Sequence, residues 1–163
     1  MCQYCGCQEV AAIAELTAEH DVVVTLIRNL GEQLAAGRLA DVAATSRLIS
    51  EVLRPHTIVE EEGLFPELSQ EFPGQLEGLM AEHRTVERVL EEAVEGVPVD
   101  PTWPERLQTT LTMLRNHILK EQDGVFPAAV ISLGAEQWER VERARVRAGS
   151  SSANLTATGG THG

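Results

Sequence analysis

Apolar residues recur at steps of three and four along most of the chain, which is the spacing of one face of an α-helix. The pattern predicts four long amphipathic helices over about residues 9–37, 41–63, 73–96 and 104–124. Their apolar stripes comprise Ile13, Leu16, Val23, Ile27, Leu30 and Leu34; Leu48, Ile49, Val52 and Val59; Leu76, Leu79, Met80, Val86, Leu90 and Val94; and Leu107, Leu111 and Leu114. Asp41 is the predicted N-cap of the second helix. The predicted helix stops are Gly63 with Pro66 and Gly124 with Pro127.

The two ends of the chain differ in character from this helical region. Trp138, Val141 and Val146 predict a shorter helix within residues 134–148. Residues 1–8 form a Cys-rich leader, and residues 149–163 have the Ser, Thr, Ala and Gly content of a disordered tail. Because short connections make neighbouring helices antiparallel, we expect an all-α, up-down-up-down four-helix bundle over residues 9–133 with an extra C-terminal helix.

Composition narrows the choice of partners and location. The chain has 163 residues and a formal net charge of −12, which suits one compact domain and disfavours nucleic acid as a partner. No apolar run reaches the length of a membrane span, and no signal peptide precedes the helices, so we expect a cytoplasmic protein without membrane contact. Cys2, Cys5 and Cys7 are then expected to be reduced thiols in an unstructured leader.

A repeat dominates the chain. The pattern His56-x3-Glu60-x2-Gly63-x-Phe65-Pro66 returns 61 residues later as His117-x3-Glu121-x2-Gly124-x-Phe126-Pro127. Upstream of each copy, Ala18-Glu19-His20 matches Ala81-Glu82-His83 at an offset of 63 residues. The chain is therefore two copies of a unit that contains a single His followed by a His-x3-Glu pair.

In an antiparallel bundle these four histidines lie at about the same distance from one end, so their rings converge on one layer. Glu60 and Glu121 lie one turn after a histidine on the inward face, where no Lys or Arg is placed to pair with them. A buried carboxylate without a partner is costly, and a metal ion is the economical partner. The candidate metal ligands are His20, His56, Glu60, His83, His117 and Glu121. The alternative is a purely structural polar layer of hydrogen-bonded core histidines.

Six inward donors exceed the four ligands of a structural zinc ion. Two ions fit better: with both carboxylates bridging, protein atoms fill about eight of roughly twelve positions around two six-coordinate ions, and a bridging oxygen fills about two more. Room remains for a small exogenous ligand. Imidazole with carboxylate favours iron, while manganese and zinc stay open.

With these six residues at these spacings, the chain resembles the hemerythrin-like (HHE cation-binding) family, in the bacterial branch patterned H, HxxxE, H, HxxxE. The likeness covers about residues 9–127. It implies a bundle around two Fe ions with an oxo or hydroxo bridge, in which Glu60 and Glu121 bridge and the four histidines are terminal ligands, two to each iron. Oxygen-carrying hemerythrins have HxxxH on the third helix, where this chain has Glu87 in place of the second histidine. On the fourth helix they have HxxxxD, where this chain has HxxxE. The resemblance therefore implies chemistry at an open position more than oxygen transport.

Two classes of function remain. The first is an enzyme acting on small oxygen or nitrogen species, with hydrogen peroxide decomposition first, nitric oxide handling second and oxygen as a further ligand. The alternative is an oxygen- or iron-responsive sensor or binding module without turnover, with the cysteine leader or the tail as its output and an unknown protein partner. Tyr4 and Glu61 are possible additional metal ligands. Phe65 and Phe126 are expected to cap the metal layer, and Trp103 and Trp138 to anchor packing.

Overall fold

Helices form nearly all of the chain that the computed structural model describes, which is residues 6–149, with side chains described from residue 11 onward. Helix α1 spans Gly6–Ala35 and α2 spans Leu39–Ile58. A π-helical segment, Val59–Leu64, which we call the first π turn, leads directly into α3, Phe65–Leu68. Helix α4 spans Pro73–Glu91 and α5 spans Trp103–Lys120. The second π turn, Glu121–Val125, leads into α6, Phe126–Ser132, and α7 spans Ala135–Ala148.

These elements form the predicted all-α bundle. Helix α1 packs on α2, α2 on α4, α4 on α5, and α5 on α1, so the four long helices close a ring around one interior. Residues 36–38 connect α1 to α2, and residues 69–72 connect α3 to α4. The linker of residues 92–102 precedes α5. The predicted extra C-terminal helix is present as α7. Within residues 6–149, no helix is both long enough and apolar enough to cross a bilayer.

The predicted helix stops are wrong. Gly63 lies within the first π turn, and Pro66 lies in the first turn of α3, so the second helix continues to Leu68. The second copy behaves in the same way, and α6 continues to Ser132. A proline in the first turn of a helix needs no partner for an N–H group, and the π turn starts a new α-helical segment at that point.

The first residues of α1 and α2 also differ from the predicted ones. Helix α2 begins at Leu39, so Asp41 lies inside its first turn and is not the N-cap; its carboxylate is 3.5 Å from Arg38. Helix α1 begins at Gly6, so the last residues of the predicted leader are helical. Cys2, Tyr4 and Cys5 and the predicted tail from residue 150 lie outside the described residues.

Three apolar residues that were predicted to face the interior face solvent instead. Leu48 is 48% exposed, because its neighbour Ile49 takes the inward position and successive helix residues point about 100° apart. Val94 is exposed beyond the end of α4. Val146 is 71% exposed, because α7 buries Val141 and Ala144 instead.

The core consists of two apolar clusters. One lies toward the bundle end that holds Trp103, which is fully buried and donates its indole N–H to the Val89 carbonyl at 3.0 Å. The other surrounds the π turns and includes Phe65, Phe126 and the buried Trp138. Both tryptophans are packing anchors, as predicted.

Helix α7 makes the two halves of the repeat unequal. It packs against the first π turn and against α1 and α2. At Gly63 the approach is close, since a Cβ atom there would lie 2.8 Å from Cβ of Ala144 and 3.4 Å from Cα of Val141. At Gly124, the equivalent position of the second copy, nothing lies within 4 Å. An open groove of about 670 Å³ runs there, lined by residues that include Leu68, Phe72, Leu79, Val125 and Ala128.

Candidate metal centre

The six predicted ligand side chains meet in the interior of the bundle. They form two overlapping groups of potential metal donors: the first group is His20, His56, Glu60 and Glu121, and the second group is His83, His117, Glu60 and Glu121. Within each group the donor atoms lie within 4.8 Å of one another. All six residues are buried, and both glutamates are 0% exposed. The prediction that the four imidazoles converge on one layer is confirmed.

Each carboxylate faces one histidine from either group. Glu60 Oε1 lies 2.8 Å from Nε2 of His56 and 3.5 Å from Nε2 of His83. Glu121 Oε1 lies 3.0 Å from Nε2 of His20, and its Oε2 lies 3.4 Å from Nε2 of His117. Both carboxylates therefore lie between the two pairs of imidazoles and belong to both donor groups.

These central atoms lack hydrogen-bond partners. Both oxygens of Glu60, both oxygens of Glu121 and Nε2 of His117 are buried and make no hydrogen bond to the protein that the structure describes. The short contact between His56 and Glu60 brings the charges together, but it lacks the alignment of a hydrogen bond. A purely structural polar layer would pair these atoms, because an unsatisfied buried polar group costs about 1–3 kcal/mol and a charged one more. The donor set therefore fits metal ions better than a polar layer.

The outward nitrogen of every imidazole has its own acceptor. Nδ1 of His56 lies 3.0 Å from Glu19 Oε1, and Nδ1 of His117 lies 3.2 Å from Glu82 Oε1. These two glutamates occupy equivalent positions of the repeat, each directly before a candidate ligand. Such contacts hold the ring so that Nε2 points inward, as metal-binding histidines require.

The other two acceptors directly follow Glu60 and Glu121 in the sequence. Nδ1 of His83 lies 2.6 Å from Glu61 Oε2, and Nδ1 of His20 lies 3.0 Å from Gln122 Oε1. Glu61, considered as a ligand from its position in the sequence, thus contacts the outward side of His83. No role was predicted for Glu19, Glu82 or Gln122. The repeated Glu-His pair, Glu19-His20 and Glu82-His83, was the signal that pointed to two of them.

Aromatic rings close the centre on one side. The Phe126 ring stacks on His20 with centroids 5.4 Å apart, and the Phe65 ring stacks on His83 at 6.1 Å. In each pair the planes of the two rings are within 8° of parallel. The expectation that these two repeat-related phenylalanines cap the layer is confirmed.

A small cavity lies on the other side of the imidazole layer. Its volume is about 20 Å³, and its walls beyond the six central residues are Leu53, Thr57, Val86, Glu87, Leu114 and Ile118. Glu87, four residues after His83, is drawn toward Arg84, whose guanidinium donates to both carboxylate oxygens at 2.9 and 2.7 Å. The cavity is large enough for one water-sized molecule.

Electrostatics divide the imidazoles into two kinds. Burial is the largest single influence and disfavours the charged ring in all four, but Glu60 together with Glu19 raises the pKa of His56 to about 9, and Glu60 together with Glu61 raises that of His83 to about 9. Burial together with the charge on the neighbouring ring lowers the pKa of His20 and of His117 to about 4. Burial alone would raise the pKa of Glu60, yet His56 and His83 lower it. Without metal, His56 in one imidazole pair and His83 in the other therefore carry an extra proton. Their two positive charges balance the negative charges of the central carboxylates.

The π turns set the position of the carboxylates. Glu60 is the second residue of the first π turn and Glu121 is the first residue of the second. π turns occur often at functional sites, where the wider turn changes the direction of the side chains that follow. Here the helix geometry changes directly after His56 and His117, which lie in the last α-helical turns before each π turn.

Comparison with known proteins agrees with this geometry. A family model described as the hemerythrin HHE cation binding domain matches residues 11–129, a range that contains all six central residues. No curated protein and no solved structure matches the chain significantly. With most of the bundle covered by that model, the chain belongs to the hemerythrin HHE cation-binding domain family.

Proposed function

We propose that this protein binds two iron ions and uses them to decompose hydrogen peroxide. The observation that carries the proposal is the pair of overlapping donor groups, which share Glu60 and Glu121 and contribute two imidazoles each. His20 and His56 would hold one ion, His83 and His117 would hold the other, and Glu60 and Glu121 would contribute to both. The resemblance to the hemerythrin-like family supports iron, with an oxo or hydroxo bridge between the two ions.

The donor set is compatible with iron and unlike that of a structural zinc site. Imidazole with carboxylate suits iron, whereas structural zinc usually takes thiolates in a closed tetrahedron. The described residues place no cysteine sulfur in either donor group. Two buried carboxylates without hydrogen bonds require strong positive charge nearby, and two cations supply it.

The free space supports a small substrate. Four protein donors per ion leave about two positions open on each six-coordinate ion, before any bridging oxygen is counted. The cavity of about 20 Å³, which the six central residues themselves line, would take only molecules about the size of water and excludes organic substrates. Hydrogen peroxide, oxygen and nitric oxide are within this size class.

Peroxide decomposition matches what the residues can do. In the reaction two molecules of hydrogen peroxide yield one of oxygen and two of water, so one peroxide is oxidised and the other reduced. Bound iron would supply the reversible electron transfer. Glu60 and Glu121 hold the two positions at a fixed separation, and the Nδ1 contacts of the four histidines keep the ligand rings in place through the cycle.

Oxygen evolution tests the proposal. The iron-loaded protein is mixed with hydrogen peroxide in an oxygen electrode, with iron per chain measured on the same sample. We expect sustained oxygen evolution, and we expect Glu60→Ala to lose both metal and turnover because Glu60 belongs to both donor groups. Glu62→Ala is the matched control, since this exposed glutamate lies in the same π turn. A fully loaded protein that does not consume peroxide contradicts the peroxide assignment.

Nitric oxide is the second candidate substrate. The cavity wall is largely apolar, with Leu53, Val86, Leu114 and Ile118 around the imidazoles, and such a wall accepts an uncharged diatomic molecule. Anaerobic consumption of nitric oxide by the reduced, iron-loaded protein distinguishes the two substrates. Peroxide turnover with no nitric oxide consumption would leave peroxide as the substrate.

A further inference from the structure

The contacts on the outward side of the histidines break the symmetry of the repeat. The two histidines of the second group, His83 and His117, each have a carboxylate on Nδ1. In the first group, His56 has the carboxylate of Glu19, but His20 has the neutral amide of Gln122. Gln122 occupies the position in the second copy of the repeat that Glu61 occupies in the first. One of the four acceptors is therefore uncharged.

A carboxylate and an amide act differently on a metal-binding imidazole. When Nε2 binds a metal, the ring proton is on Nδ1, which must donate to the residue behind it. The Nδ1 contact of His20 is then a donation to the amide oxygen of Gln122, 3.0 Å away. A carboxylate acceptor pulls harder on this proton and makes Nε2 a stronger donor to the metal. His83, 2.6 Å from Glu61, is therefore the better ligand of the two.

Two cations near the second group reduce this difference without removing it. Arg84 contacts Glu61, and Lys120 donates to both oxygens of Glu82 at 3.1 Å. The side chains of Arg84 and Lys120 are 48% and 57% exposed, so water and salt screen their charges. The hydrogen bonds between the carboxylates and the imidazoles are partly buried, with the side chains of Glu61 and Glu82 18% and 19% exposed, and they are screened less.

We propose that the two metal positions are unequal, that the position of the second group binds its ion more tightly, and that Gln122 is the positioning residue that sets this difference. The inference rests on the metal binding in the proposed function and does not depend on the reaction catalysed. An ion supplied in limiting amount then enters the position between His83 and His117 first. Removing a contact of this kind typically changes metal affinity about 10- to 100-fold.

Partial loading tests the inference directly. The metal-free protein receives one equivalent of ferrous iron without oxygen, and anomalous diffraction locates the ion. We expect at least about tenfold higher occupancy at the position of the second group. The single variant Gln122→Glu is expected to bring the two occupancies close together, because His20 gains the same kind of acceptor that His83 has.

The exchange variant Glu61→Gln/Gln122→Glu is the matched comparison, since its composition and net charge equal those of the natural chain. We expect its preference to reverse in favour of the position between His20 and His56. A structural role alone would weaken binding at both positions without reversing their order. Equal occupancy in the natural chain, or an order that the exchange leaves unchanged, overturns the inference while the proposed function stands. A protein that takes up no iron overturns both.

Discussion

Glu60 and Glu121 are the residues on which the centre depends. Each is fully buried, each faces a histidine from both donor groups, and neither has a hydrogen bond to the described part of the protein. Each histidine, in contrast, belongs to one group only. The two kinds of ligand should therefore respond differently to substitution.

Glu121→Gln should abolish binding of both ions, because an amide is uncharged and bridges metals poorly, while His20→Ala should retain up to one ion in the second group. Iron per chain, measured after anaerobic loading and removal of free metal, distinguishes these results. Retention of one ion by Glu121→Gln would show that its carboxylate does not bridge. Asp123→Asn, an exposed substitution in the same π turn, is the control and should leave loading unchanged.

The π turns are the elements that join the metal centre to the rest of the bundle. Each begins at or just before a central glutamate and ends just before the phenylalanine that stacks on a histidine. The first π turn also carries Gly63, on which α7 packs, whereas the second carries Gly124, which faces an open groove. The two glycines are alike in sequence and unlike in surroundings.

Gly63→Ala and Gly124→Ala should therefore change stability in opposite directions. The added methyl at residue 63 meets Ala144 and the backbone of Val141, and such overpacking costs about 1–3 kcal/mol. The added methyl at residue 124 meets nothing, and it should stabilise the protein by about 0.5–1 kcal/mol because alanine loses less entropy on folding. Urea unfolding at a fixed metal content measures both, and equal effects would contradict the packing described for α7.

The pair formed by Glu67 and Arg140 holds α7 against α3 in a pH-dependent manner. Nε of Arg140 lies 2.5 Å from Glu67 Oε1, and this contact lowers the pKa of Glu67. A carboxyl group with a lowered pKa stabilises the fold above its usual titration range, and this contribution is lost as the pH falls through the lowered value. Glu67→Gln should therefore be slightly less stable than the natural chain at neutral pH.

The difference should shrink as the pH is lowered through the carboxyl range, because the natural chain then loses the same charge. Thermal unfolding at a series of pH values measures it. Glu77→Gln, at an exposed site on α4, is the control and should show little difference at any pH. A gap between Glu67→Gln and the natural chain that stays constant in acid would contradict the ion pair.

The molecule as a whole keeps ionisable side chains in an apolar interior. Apolar clusters lie on both sides of the imidazole layer, so the two carboxylates have no access to bulk water. The folded chain without metal bears the cost of burying these groups, and the unfolded chain does not. We therefore expect metal binding to be coupled to folding.

Iron loading should raise the midpoint of thermal unfolding. A ligand at 100 times its dissociation constant contributes about 2.7 kcal/mol, which corresponds to roughly 5–10 °C in a chain of this size. Differential scanning calorimetry of loaded and chelator-treated protein measures the shift. Glu121→Gln should show no shift, and an equal shift in that variant would place the stabilising ions elsewhere.

Much of the centre could be predicted from the sequence because its determinants are local. The repeat places His20, His56, His83 and His117 on inward faces, and the step from His to Glu is one helical turn, which depends only on backbone geometry. The helix ends could not be predicted in this way. Gly63 and Pro66 are ordinary stop signals, and only the structure shows that a π turn carries the helix through them, as a second π turn does at Gly124.

The amino-acid sequence by itself determined the all-α bundle, the family and the six residues of the centre, because periodicity and spacing within one helix encode which face is inward. The tertiary structure alone decided the Nδ1 partners, which join His56 to Glu19 and His83 to Glu61 across different helices. It also decided that α7 covers one π turn and leaves the other open. Contacts between distant segments depend on how helices pack against each other, and no spacing along one helix specifies that.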